Sequence, residues 1–291
     1  CGGFTRGIWG YWGIRSIQTK KDVSVSGRAD GRGPLLDEVA VVTGASSGIG
    51  RATALALAKE GAHVSLGART EPALRELADK IRVQGREALV VPTDVTDKNQ
   101  VERLVAETLA RFQRVDILVA NAGAYVRSPI RALTVEEVRR SMAVNFYGAL
   151  YAVLAVQSHM LEQGDGHIIL VSSLDGKKGL PRDAPYVAAK FALAGYGEVL
   201  RQELHGSGVH VTTVFPGRVD TGLIESLEVP RVSAKIPAEA VAQSIVAAIR
   251  RPRPEVIMPV QGRALHLVNA LSPRLGDWLV RLFHLQGWER G

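Results

Sequence analysis

Tyr186 and Lys190 stand four residues apart in the run Tyr186-Val187-Ala188-Ala189-Lys190, with Ser173 thirteen positions upstream. On a helix, residues i and i+4 share a face. An ammonium beside a phenol favours the ionised form and moves a group with a pKa of about 10 toward neutrality, where it can pass a proton. A hydroxyl from Ser173 can polarise a carbonyl oxygen at the same place, provided the fold brings the two segments together. The spacing alone is also that of a solvated helix face, so the chemistry depends on what positions these groups.

The positioning elements begin with Val39-Ala40-Val41-Val42-Thr43, a β-branched run that reads as a buried parallel strand. It ends in Gly44-Ala45-Ser46-Ser47-Gly48-Ile49-Gly50 and continues into an alanine- and leucine-rich helical stretch from Arg51. Glycines at such a joint let backbone N–H groups approach a pyrophosphate at the positive end of the helix. The spacing is Gly-x-x-x-Gly-x-Gly, and a tight loop is the plainer alternative. Strand before and helix after favour the cofactor cradle. The next strand, 63–66, ends in Gly67-Ala68-Arg69-Thr70. An NAD site places a carboxylate near here for the ribose 2′-hydroxyl. Arg69 instead offers a planar cation suited to a 2′-phosphate, with Thr70, Ser46 and Ser47 as further donors. NADP(H) is therefore expected over NAD(H), which remains usable. A surface arginine at a strand end is the alternative.

With these residues in place, the chain resembles the short-chain dehydrogenase/reductase family. Thr43 to Gly50 match the family's cofactor loop, and Asn121-Ala122-Gly123, after Asp116-Ile117-Leu118-Val119-Ala120, match its fourth-strand motif. Asn145, Ser173, Tyr186 and Lys190 match its catalytic tetrad. Pro216-Gly217-Arg218-Val219-Asp220-Thr221 match the turn that holds the nicotinamide carboxamide, and Thr93-Asp94-Val95 fit the adenine-contacting segment. The resemblance implies an oxidoreductase that moves hydride between nicotinamide and a carbonyl or secondary alcohol. Tyr186 would be its general acid/base, Ser173 would hold the carbonyl oxygen, and Lys190 would bind the nicotinamide ribose. Asn145 would orient a relay water; a buried Asn satisfying backbone groups is compatible with that role. The alternative is a non-catalytic dinucleotide-binding protein of the same fold, regulatory or structural. The intact tetrad favours the enzyme.

At 291 residues and 46% hydrophobic, the chain can bury one large core without a second domain. Strand patterns at 39–43, 63–66, 88–91, 115–120, 167–172, 209–215 and 255–258 alternate with helical ones at 71–84, 100–112, 135–161, 184–205 and 238–250. The expected fold is an α/β, single-domain, doubly wound parallel sheet of about seven strands, a Rossmann fold over 35–260. Right-handed crossovers would gather the glycine loop, Asn121, Ser173 and Pro216 at the sheet's carboxyl edge.

The net charge of +7 is not gathered in a structured patch, which argues against a nucleic-acid partner. Residues 1–34 carry six Lys/Arg against two Asp and show no helix or strand period. They read as a disordered leader, with an organelle-targeting peptide as the alternative; the expected location is cytoplasmic. Cys1 is the single cysteine and the histidines show no ligand spacing, so no metal site is expected. By the resemblance, the loop 222–236 covers the substrate, and its Leu223, Ile224, Leu227, Val229 and Val232 point to a lipophilic carbonyl or alcohol. The resemblance also shows a departure: 3-oxoacyl carrier protein reductases commonly stop just past the last strand, whereas this chain runs on for 32 residues after Pro259. Residues 261–291 read as two amphipathic helical pieces separated at Pro273. They are expected to cover the substrate cleft or a subunit interface, in preference to a peripheral membrane contact. The family's two long pairing helices correspond to 135–161 and 184–205, implying a homodimer or homotetramer.

Overall fold

The computed structural model describes residues 35–222, 227–228, 235–285 and 287–289. The strands are β1 (Val39–Thr43), β2 (His63–Ala68), β3 (Ala88–Pro92), β4 (Ile117–Ala120), β5 (Gly166–Val171), β6 (Val209–Pro216), a two-residue β7 (Leu227–Glu228), β8 (Glu255–Met258) and a two-residue β9 (Trp288–Glu289). Seven of them form one parallel sheet in the order β3-β2-β1-β4-β5-β6-β8, while β7 and β9 pair antiparallel. The expected doubly wound sheet is therefore present. Its strand order reverses beside β1, so the crevice between the ends of β1 and β4 is where such a sheet takes a ligand.

Both faces of the sheet are covered, and β1 shows why its sequence does not alternate. Ala40 and Val42 enter one apolar cluster with Leu57 of α1 (Gly48–Lys59), Leu77 of α2 (Glu71–Val83) and Ile245 of α7 (Ala238–Arg250). Val41 enters the other with Leu104 of α3 (Lys98–Phe112), Val153 of α5 (Gly148–Gln163) and Leu193 of α6 (Ala184–Glu203). A strand with helices on both sides needs apolar residues in both directions. At the amino edge, the Val39 N–H donates to Asp116 Oδ2 at 2.8 Å, and Arg114 donates to the same carboxylate, fixing β1 against the start of β4.

One expected helix is broken. The pattern over 135–161 is realised as α4 (Val135–Met142), a π-helical turn at Ala143–Tyr147, and α5. Thr134 and Glu137 close α4 at its start with a reciprocal capping box. The widened turn has a local cause: Asn145 Nδ2 donates to the Ser141 carbonyl at 3.0 Å, the acceptor that the regular ladder would assign to the backbone N–H of residue 145. Past β8 lie α8 (Val260–Leu271) and α9 (Pro273–Leu282), packed on the same compact unit as the sheet. The leader at 1–34 and most of the 222–236 loop fall outside the described residues.

Candidate active site

The glycine loop, Arg69, Asp94, Asn121, Ser173, Tyr186, Lys190 and the loop after β6 line one cavity of about 810 Å³ at the carboxyl edge of the sheet. One end is built from the joint between β1 and α1. Gly44 takes φ +65°, and a Cβ there would stand 2.7 Å from the Ala122 Cα, so only glycine allows the two loops to touch. Thr43 Oγ1 accepts from the N–H groups of Asn121 and Ala122 at 3.0 and 3.2 Å, while Asn121 Nδ2 donates back to the carbonyls of Thr43 and Gly44. Asn121 thus holds the glycine loop in shape. Gly50 lies behind the cavity wall: a Cβ at this position would be 2.3 Å from the Gly44 oxygen. At the start of α1, Ser47 makes no side-chain cap and the first turn carries no acidic residue, leaving the positive helix end uncompensated toward the cavity.

Gly44, Ser46, Ser47, Gly48 and Ile49 line this end of the cavity, as do Arg69 and Thr70, Asp94 and Val95, and Asn121, Ala122 and Gly123. The Asp94 carboxyl sits below the usual range, first because it accepts from the Thr96 N–H at 2.9 Å; the charge of Arg69 acts in the same direction. Pro216, Gly217, Val219 and Thr221 line the cavity from the loop after β6. Thr221 closes over α1, since a Cβ on Gly48 would lie 2.8 Å from its Cγ2. A narrow glycine floor, a free helix end and a cation at the β2 terminus fit a dinucleotide phosphate in this end.

The other end gathers Ser173, Tyr186 and Lys190. All three are buried. Ser173 follows β5 and caps a 3-10 turn at Leu174–Gly176, its Oγ accepting from the Asp175 N–H. Tyr186 and Lys190 project from α6, and Lys190 Nζ donates to the Val171 carbonyl at 2.9 Å, which fixes the helix face against the end of β5. Asn145 stands behind the wall, 1% exposed, its amide shared between the Ala124 backbone and Ser141. A Cβ on Gly123 would be 3.0 Å from Asn145 Oδ1 and 3.8 Å from Lys190 Nζ, so the amide and the ammonium both stand close to this glycine.

The expected downward pull of Lys190 on the phenol does not prevail. Burial raises the Tyr186 pKa, the Asp175 carboxylate adds to the rise, a hydrogen bond with Ser173 opposes it, and Asp183 raises it further. The ammonium lies over the ring, 5.5 Å from its centroid, and is engaged by Val171; burial pushes its own pKa down to about 8. Tyr186 is accordingly a protonated donor near neutrality.

Sequence reasoning passed over several cavity residues. Asp175 and Arg218 both line the cavity; Arg218 lies within the Pro216–Thr221 turn already singled out, and Asp175 stands two residues after Ser173, outside any segment singled out. Tyr125 stacks edge-on to Tyr186 at 4.9 Å between centroids and donates to Asp183, which also pairs with Arg127. Leu265 and Val268 of α8, Leu279 of α9, and Phe283 and Leu285 beyond it form an apolar wall. The same helices also expose Leu267, Leu271, Leu275, Trp278 and Leu282. Among the described residues no helix is long and apolar enough to cross a membrane, and no cluster of His, Cys, Asp or Glu has the makings of a metal site.

Comparison with known proteins agrees with this geometry. The family model for short chain dehydrogenases matches residues 38–230. An uncharacterized oxidoreductase of Bacillus subtilis, YxnA, is 37% identical over 88% of this chain and 75% of its own length. A fatty acyl-CoA reductase of Acinetobacter baylyi is 33% identical over 84% of this chain and 83% of its own. An alcohol dehydrogenase from the archaeon Thermococcus sibiricus, solved with 5-hydroxy-NADP, superposes with a TM-score of 0.70 at 29% identity, covering 76% of this chain and 95% of that one. Sheet order, glycine floor and sequence similarity converge, and the chain belongs to the short-chain dehydrogenase/reductase family as an NAD(P)-dependent oxidoreductase.

Proposed function

We propose that this enzyme is an NADP(H)-dependent reductase of a lipophilic carbonyl compound, working in the cytoplasm, with Tyr186 as the general acid. The observation that carries the reading is one continuous cavity with a phosphate-suited end at Gly44 and Arg69 and a proton donor, Tyr186, at the other. The Thermococcus sibiricus structure, solved with a modified NADP, supports the cofactor by similarity. Arg69 and Thr70 would hold the 2′-phosphate, and the α1 terminus the pyrophosphate. Asp94 and Val95 would flank the adenine, while Asn121 to Gly123 and Pro216 to Thr221 would hold the remainder. When bound, the reduced nicotinamide supplies hydride.

Ser173 and Tyr186 then act on the substrate oxygen. Both donate hydrogen bonds to it, drawing electron density from the carbonyl carbon as that carbon gains its new C–H bond. The π pair moves onto oxygen and the Tyr186 proton follows it, giving the alcohol and a phenolate that is reprotonated from water. Lys190 holds a positive charge beside that phenolate, and Asn145 fixes the backbone behind the ammonium. The apolar wall from Leu265 to Leu285 excludes water and favours a hydrocarbon substituent. Exposed Tyr147, Leu154, Phe191 and Val199 on the π turn, α5 and α6 support pairing into a homodimer or homotetramer.

The test is Tyr186→Phe, assayed with NADPH against lipophilic ketones and aldehydes. Expected is loss of turnover with NADPH affinity retained, and preserved turnover removes Tyr186 from the mechanism.

A further inference from the structure

The substrate end holds a carboxyl group that the reading above leaves unused. Asp175 sits on the 3-10 turn after Ser173. Its N–H donates to Ser173 Oγ at 3.1 Å, and the Ser173 hydroxyl lies 3.4 Å from Asp175 Oδ2. The hydroxyl proposed to polarise the substrate therefore has a rival acceptor two residues away. Asp175 keeps part of its surface open to the cavity, yet protein atoms enclose its carboxyl.

Charged and titratable groups face it from each neighbouring element. Asp183 comes from the loop before α6, Tyr186 and Lys190 from α6, Arg218 from the loop after β6, and Tyr125 from the segment after β4. Arg127 acts at one remove, paired to Asp183 at 2.8 Å. Lys178, later in the same loop as Asp175, is held by Asn269 and Asp277 of the C-terminal helices. Enclosure, the largest effect, and Asp183 favour the acid, whereas Arg218, the Ser173 hydrogen bond and Lys190 favour the carboxylate. The balance pushes the carboxyl up to about 7.

Resting on the reductase reading, we propose that Asp175 is a positioning residue that, as a neutral acid, donates to Ser173 Oγ and turns the serine hydroxyl toward the substrate oxygen, and that, as a carboxylate, withdraws it. The serine oxygen has two lone pairs, one taken by the Asp175 N–H and one open to the acid O–H. Its own proton, which the Tyr186 oxygen also draws, is then withheld from Asp175 and available to a substrate oxygen that enters beside the phenol. Ionisation reverses this direction, because the Ser173 proton goes to Oδ2 and the substrate oxygen keeps one donor in place of two. The new negative charge also stands beside the oxygen on which charge must develop. Removing one such donor typically costs about 10²–10³-fold in turnover.

The experiment is the pH dependence of kcat for carbonyl reduction at saturating NADPH, from about pH 5.5 to about pH 9, in the wild type and Asp175→Asn. The wild-type rate is expected to fall about tenfold from its acid plateau by about pH 8, following the fraction of neutral acid. The Asn amide donates to Ser173 at every pH, so the variant should hold its low-pH rate through about pH 7.5 and fall only above it, where Lys190, at about 8, loses its charge. A wild-type rate that is flat through neutrality overturns the proposal by itself, even where the variant fails to fold. A variant that keeps the wild-type decline overturns it too, as does one that binds NADPH but has lost turnover at low pH. Should the wild type bind NADPH and reduce no carbonyl at all, the reductase reading fails and takes this inference with it.

Discussion

Gly176→Ala tests how Ser173 is held in place. Gly176 closes the 3-10 turn after Ser173 and is pressed against α6. A Cβ at this position would lie 2.6 Å from Ser172 Oγ and 2.7 Å from the Lys190 carbonyl oxygen. Ordinary non-bonded contact is near 3.5 Å, so the turn and the helix must separate by roughly 0.7–1 Å. The methyl also intrudes on the 3.1 Å hydrogen bond from Ser172 Oγ to the Lys190 carbonyl. Overpacking of a dense interior costs about 1–3 kcal/mol and a lost hydrogen bond about 1 kcal/mol. The substitution should therefore lower Tm by roughly 5–10 °C.

The catalytic consequence is separable from the thermal one. Ser173 lies on one side of the contact, with Tyr186 and Lys190 on the other, so relief of the clash moves the hydroxyl away from the phenol. A displacement near 1 Å costs up to about 10²-fold. We expect kcat to fall about 10–100-fold with NADPH affinity changed far less, since the glycine floor and Arg69 belong to the β1–α1 joint and the end of β2, which Gly176 does not touch. Steady-state kinetics below the variant's melting range, with NADPH titration, measure both. A variant with wild-type Tm and kcat within twofold would refute the claim that this contact sets the Ser173 to Tyr186 geometry.

Arg69→Asp should move the ratio of kcat/KM for NADPH over NADH toward NADH by roughly 10–100-fold, the value of a charge-assisted pair to a phosphate; an unchanged ratio means that Arg69 does not meet the 2′-phosphate. His167, 5% exposed on β5, shares a 2.9 Å hydrogen bond with Thr212 and has its pKa pushed down to about 3, first by burial and then by the charge of His210. A base with a lowered folded pKa binds fewer protons folded than unfolded between about pH 6.5 and 3, so its contribution to stability is lost as pH falls through that window. Asp175, raised to about 7, works with the opposite sign, costing stability as pH rises from about 4 toward 7, and the two partly offset in the wild type. Denaturant unfolding of His167→Gln against wild type should reveal a stability difference that shifts by about 3 kcal/mol between about pH 8 and pH 4; a difference independent of pH rejects a neutral buried imidazole.

The parts of this molecule that the sequence announces are those governed by local rules. Val39 to Thr43 is apolar at every position because helices cover both faces of the strand, and Gly44 and Gly48 are glycines because their φ angles are positive. The π turn was hidden, since apolar periodicity runs straight through 135–161 and the break comes from one side-chain amide, Asn145, on the Ser141 carbonyl. Asp175 was hidden for a different reason: nothing within a few residues of it reveals that Asp183, Arg218 and α6 enclose its carboxyl. The apolar pieces after Pro259 were visible as amphipathic, but an amphipathic pattern does not name the surface that it meets.

That surface includes the turn carrying Ser173. A Cβ on Gly262 of α8 would lie 2.6 Å from Leu174 Cδ1, so α8 rests directly on the residue next to the serine. The turn is therefore gripped between α6 through Gly176 and α8 through Leu174. Polar ties add to the grip, with Lys178 reaching Asn269 and Asp277, and Arg218 donating to the Leu285 carbonyl. The ion pair to Asp277 is half exposed and screened by solvent, while Leu174 is partly withdrawn from water against α8. Packing thus does more than charge to hold the helices down. The same helices supply Leu265, Val268 and Leu279 to the cavity wall. In this enzyme the end of the cavity at Gly44 is fixed by the sheet, whereas the end at Ser173 takes its shape from α6 and the C-terminal helices together. Substitutions in α8 that loosen Leu174 should consequently disturb the chemistry as well as the choice of substrate.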